Sequence, residues 1–174
     1  MPSDASRIIR ESLPILMLCL AGGIAAGLIL ESMMQQFQRI PGLLILIPPL
    51  LGMRGNISGV LSSRLASALH LGLIQPELKW NKTLKGNIYS AMFLNIVLSL
   101  LLGVIAYYTH LIVRGSSQAS ILQLTAITLI TGTTAGLILT FMAVALALYT
   151  YASGYDPDNV VAPLLSTVGD LITV

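Results

Sequence analysis

Asp156-Pro-Asp-Asn-Val-Val-Ala-Pro-Leu-Leu-Ser-Thr-Val-Gly-Asp-Leu-Ile-Thr-Val174 closes the chain. It reads as a helix start. Pro157 has no N–H to lose in a first turn, and Asp158 sits where the positive helix end favours a carboxylate. Further on, Asp170 is a lone acid among Leu, Ile, Val and Thr. At 1.5 Å per residue it falls roughly 17 Å beyond the helix start. A hydrocarbon core is roughly 30 Å thick, so Asp170 would lie near its middle. A carboxylate there costs at least about 2.5 kcal/mol and marks a functional position by default. The plain alternative is a structural acid paired with Arg54 or with a backbone donor.

The rest of the chain fits a membrane. Of 174 residues, 55% are hydrophobic and 9% charged, with mean hydropathy +0.86; soluble domains carry about 25% charged residues. A net charge of +2, with no Lys/Arg run, offers no footprint for nucleic acid. Cys19 is the single cysteine, so it forms no internal disulfide. The first apolar run has no small-residue cleavage site followed by a soluble domain, and it is expected to be a retained span.

Five apolar segments predict an all-α, multi-pass protein of the cell membrane: about 13–30, 40–64, 86–112, 121–151 and 158–174. The fifth, as the chain stands, ends short of a full crossing. Leu65 to Leu73 is expected as an interfacial helix. With the N-terminus inside, that side carries Arg7, Arg10, Arg64, Lys79, Lys82 and Lys85, against Arg39 and Arg114 outside. Six basic residues against two predict a cytoplasmic N-terminus. Asp156 and Asp158 would then stand at a cytoplasmic entrance and gather cations there, or else cap the last helix.

Polar residues recur at helical spacing: Gly52, Asn56, Gly59 and Ser63 in the second segment; Asn87, Asn95, Ser99 and Gly103 in the third; Asn159, Pro163, Ser166 or Thr167, and Asp170 in the fifth. Gly23/Gly27, Gly55/Gly59 and Gly132/Gly136 are small-residue pairs that let helices approach. Pro163 frees a carbonyl about four residues back, at Asn159, and Pro48 and Pro49 do the same before Gly52. Freed backbone is tolerated in a membrane where it lines a wet cavity. Asn56 can orient the water of a hydrated ion or bond another helix. Arg54 is expected to point away from a cation route, to snorkel, or to pair with an acid such as Glu31. His70 and His110 read as solvated interfacial residues, and the threonines of 125–134 as packing.

An odd number of spans in a short chain predicts a homodimer, with symmetry supplying a second copy. A twofold axis along the pore would set two Asp170 carboxylates face to face, and a divalent cation relieves their repulsion. Oxygen donors at Asn159, Ser166 and Thr167 suit a hard cation such as Mg²⁺, held partly or fully hydrated. No His/Cys cluster favours a softer metal.

Ile47-Pro-Pro-Leu-Leu-Gly-Met-Arg-Gly-Asn56, running into Leu61-Ser-Ser-Arg-Leu-Ala-Ser-Ala-Leu-His-Leu-Gly72, resembles the solute carrier family 41 and MgtE magnesium transporters. So does Asp158 to Thr173, and Lys85-Gly-Asn87 is a shorter match. The resemblance implies a single dimeric, Mg²⁺-permeable membrane domain over 1–174, with the pore between the second and fifth helices. It makes Asp170 the central pore carboxylate and Asn56 the matching amide; Pro48, Pro49, Gly52, Gly55, Gly59 and Pro163 shape the path. MgtE carries large cytoplasmic regulatory domains ahead of its membrane part. Only about ten polar residues precede the first segment here, so the expectation is a unit without that gating apparatus. The rival readings are a proton- or sodium-coupled carrier in which Asp170 titrates, a membrane-embedded enzyme, and a non-conducting assembly subunit. The enzyme would need a nucleophile or metal cluster that the sparse acids do not supply.

Overall fold

The computed structural model describes residues 4–39, 42–77, 79–114 and 120–173. The described secondary structure is helical: α1 (Asp4–Ser32), α2 (Met34–Arg39), α3 (Leu43–His70), α4 (Lys82–Arg114), α5 (Ile121–Ala152) and α6 (Pro157–Thr173). Among the described residues four helices are long and apolar enough to cross a membrane: α1 from Ile8, then α3, α4 and α5. The 17 residues of α6 span about 25 Å. Ile40 and Pro41, the expected start of the second segment, lie outside the described residues, as do 115–119 and Val174.

Two boundaries differ from expectation. The interfacial helix expected over Leu65 to Leu73 is instead the end of α3. Leu65, Ala68 and Leu69 are buried in one core with Leu84, Ile88, Ala147, Leu148, Val161 and Leu165, so the helix continues to keep them there. The short α2, between α1 and α3, was not expected.

The helix ends near His70 and Asp156 are set by local chemistry. After α3, Gly72 has φ +68°, its N–H donates to Leu69 O (3.0 Å), and the Leu73 N–H donates to Ala68 O (2.9 Å). After α5, Gly154 (φ +80°) and Tyr155 repeat the pattern with Tyr151 O and Thr150 O. This left-handed close satisfies the last carbonyls and favours glycine. Asp156 then caps α6: its carboxylate accepts from the Asp158 N–H at 3.0 Å, and Pro157 takes the first helical position, fully buried. At the opposite end of the bundle, Ser120 and Gln123 form a reciprocal capping box on α5.

The bundle closes around α5, α4 and the C-terminal half of α3. Gly132 and Gly136 receive Ser99 and Asn95 of α4, and Gly103 receives Thr125 and Thr128 of α5. The expected close packing at Gly132/Gly136 is there, and it buries Asn95 and Ser99 of the α4 stripe; Asn87, further along, is also buried. Gly23 and Gly27 differ. Both are exposed, and a Cβ on either would meet nothing within 4 Å. On α1 the close approach falls instead at Gly22, against Thr167 of α6. Much of the rest of α1 is turned outward, with Leu13, Met17, Leu20, Ile24 and Leu28 exposed.

Candidate functional site

The site is built where α3 meets α6. These helices are separated in sequence by two long helices, α4 and α5, and run antiparallel. A Cβ on Gly55 would lie 3.7 Å from the Ser166 hydroxyl, so a small residue on α3 admits α6 at this level. Asn56 follows Gly55 and is exposed; Gly52, one turn earlier, is exposed, and Gly59, one turn later, is half-buried with nothing within 4 Å of a Cβ. Ser166 is exposed and Asp170, one turn further along α6, is half-buried. Pro48 and Pro49 are exposed near the start of α3, and both α3 and α6 run on as helices through their prolines. One open polar face therefore gathers Gly52, Asn56, Ser63 and Ser166, with Asp170 at its edge.

Two expected site residues stand apart from this face. The Thr167 hydroxyl donates to Pro163 O at 3.2 Å, and its methyl group packs on Gly22. Of the alternatives Ser166 and Thr167, only Ser166 is turned outward. Asn159 lies in the first turn of α6, about 17 Å from Asp170, and its amide donates to Glu11 Oε2 of α1 at 3.0 Å. The same carboxylate oxygen accepts from the Asp156 N–H at 3.4 Å. Glu11 thus ties α1 to the start of α6, a role the sequence offered no signal for beyond its place at the edge of an apolar run. Asp158 is exposed at this end, and His70 Nε2 lies 3.5 Å from Asp156 Oδ1.

Arg54 departs from expectation. It is 2% exposed, so it does not snorkel, and it pairs with no acid among the described residues. One guanidinium nitrogen donates to Thr131 O of α5 at 2.7 Å. Its fixed place in the α3–α5 interface is set by that bond; Glu31 is exposed at the end of α1. His110 also departs: it is 6% exposed, with its ring 3.3 Å from a Cβ position on Gly42 rather than in solvent. Gly42 has φ +89° and opens α3, so the imidazole closes over a left-handed turn that favours glycine and leaves a side chain little room. Thr128 is fully buried and bonded within α5, as a packing residue would be.

Among the described residues no group of three His, Cys, Asp or Glu side chains could hold a metal ion. What the α3–α6 face offers is sparser: one carboxylate, an amide, a hydroxyl and exposed glycine backbone. Such groups orient the water around a hydrated cation more readily than they strip it.

A family model described as MgtE, divalent cation transporter, matches residues 47–174. Solute carrier family 41 member 2 of Homo sapiens is 31% identical over 88% of this chain and 27% of its own length. Solute carrier family 41 member 3 of Rattus norvegicus is 28% identical over 99% of this chain and 38% of its own length. The chain thus spans between about a quarter and two fifths of these relatives. No solved structure matches it.

Proposed function

Because the chain belongs to the MgtE family of divalent cation transporters, we propose that it conducts Mg²⁺ across the cell membrane as one domain spanning 1–174, along the axis of a homodimer between α3 and α6, with Asp170 as the central carboxylate. The family is one of transporters, not enzymes. The observation that carries the reading is the open polar face. Asn56 and Ser166 are exposed on helices long enough, or nearly so, to lie in a membrane. Lipid cannot satisfy an amide, so such a face needs water, an ion path or a second copy. A twofold partner laid against α3 and α6 supplies all three, and brings a second Asp170 to the axis. Two carboxylates then meet one doubly charged ion. Asn56 and Ser166 hold its water, Gly52, Gly55 and Gly59 leave room for it, and Pro48, Pro49 and Pro163 free backbone carbonyls further along the path. Asp158, with the capping Asp156, biases the inner end toward cations.

Asp170→Asn is the test. It keeps size and hydrogen bonding but removes both axial charges. Mg²⁺ flux into liposomes holding only this protein should fall by at least about tenfold per folded molecule, the loss of one close charge interaction. Mg²⁺ binding to the wild type should also weaken as pH falls, because protons compete for the same oxygens. Normal flux through folded Asp170→Asn would end the reading. Wild-type uptake that tracks an imposed proton or sodium gradient would replace it with coupled transport.

A further inference from the structure

Arg54 is the charge that the pathway leaves without a task. Its guanidinium is buried behind α3, with one nitrogen held by Thr131 O. Nε and the other terminal nitrogen are buried with no hydrogen-bond partner. A guanidinium has five N–H donors, and a charge taken out of water is costly unless it is paired and bonded. The carboxylate placed to answer it is Asp170. A Cβ on Gly55, beside Arg54, would lie 3.7 Å from the hydroxyl of Ser166, one turn from Asp170, and Arg54 and Asp170 lie close enough for each to feel the other's charge. They are not within ion-pair distance, and Asp170 is half-buried with no hydrogen bond among the described residues. The carboxylate is therefore held by no other donor there, between an unsatisfied guanidinium on one side and the open face on the other.

We propose that Arg54 is a positioning residue, a tethered counter-charge that draws the Asp170 carboxylate toward the protein interior and competes for it with an arriving cation. The free N–H groups of Arg54 are the waiting donors, and the Thr131 bond keeps them from following the carboxylate outward. Such a competitor lowers cation affinity at Asp170 and speeds release. This rests on the reading of Asp170 as a cation ligand.

The experiment has two arms on the purified full chain. In Mg²⁺-free detergent, melting temperatures are compared for wild type, Arg54→Gln, Asp170→Asn and the double variant. Asp170→Asn leaves Arg54 without its counter-charge and should melt about 5 °C lower; adding Arg54→Gln should recover most of that loss. Additive losses would overturn the proposal. In the second arm Mg²⁺ is titrated by thermal shift. Arg54→Gln should bind Mg²⁺ at least about tenfold tighter, with slower release in flux, while Arg54→Lys stays near wild type. Unchanged or weaker binding by folded Arg54→Gln would also overturn it. If Arg54→Gln alone does not fold, the double variant decides: recovery supports the pair, and no recovery refutes it. The first arm uses no Mg²⁺, so failure of the transport reading appears separately, as intact flux in Asp170→Asn.

Discussion

Asn56 and Arg54 stand two residues apart on α3, about 200° around the helix, and their surroundings differ accordingly. Asn56 is exposed while Arg54 is closed in against α5. An exposed amide in a membrane helix serves either a wet path or a partner helix, and substitution separates the two. Asn56→Ala removes one hydrogen bond worth about 1 kcal/mol net, so flux at limiting Mg²⁺ should fall about fivefold. Thermal stability should not change, since Asn56 makes no bond within the described chain that would be lost. A variant that instead fails to assemble would show Asn56 to be a bond between helices. Asn95 gives the contrast within the same protein. It is buried and donates to Ala91 O, a structural amide by every measure.

At the scale of the helices, small residues behave in two ways. Gly132 lies against Ser99, with the Ser99 Cβ 2.7 Å from where an alanine Cβ would stand. Alanine gains about 1 kcal/mol of helix propensity over glycine, while overpacking a tight contact costs about 1–3 kcal/mol. The contact should win, so Gly132→Ala should lower the melting temperature. Ser99→Gly in that background should restore part of it, by removing the atoms in the way. Gly27→Ala should be neutral or slightly stabilising within one chain, since nothing lies within 4 Å. Equal losses at Gly27 and Gly132 would show that the α4–α5 contact is not what the glycine serves.

At the scale of the whole molecule, one chain leaves α1 largely uncovered and the α3–α6 polar face open. Lipid suits the first and not the second, which is why we place the homodimer axis beside α3 and α6. With the N-terminus in the cytoplasm, single cysteines replacing Lys82 and Ser32 in a Cys19→Ser background should label from opposite sides, Ser32→Cys from outside. Native mass spectrometry in mild detergent should give a dimer. A monomer retaining full flux would refute the axis, and labelling of both cysteines from outside in intact cells would refute the orientation.

The helical class, the membrane setting and the long spans were legible because length, apolarity and the 3.6-residue period are properties of a segment alone. The same holds for the start of α6 at Pro157, where capping chemistry acts over a few neighbours; the end of α3 was not legible, because burial of Leu65, Ala68 and Leu69 against other helices carries it past 64. Asp170 stood out as a candidate because one acid in an apolar run is conspicuous without any partner. The family followed from two stretches around Asn56 and Asp170. What the sequence alone left open were questions of which neighbour each side chain meets. Period places Ser166 and Thr167 almost equally, and only the approach of α1 at Gly22 turns Thr167 inward. Gly27 and Gly132 read alike until α4 covers one of them. Arg54 could snorkel by its length, yet the Thr131 carbonyl, 77 residues along the chain, holds it inside. His110 looked solvated until Gly42 folded beneath it. In each case the deciding contact comes from a distant part of the chain, and no local pattern encodes it.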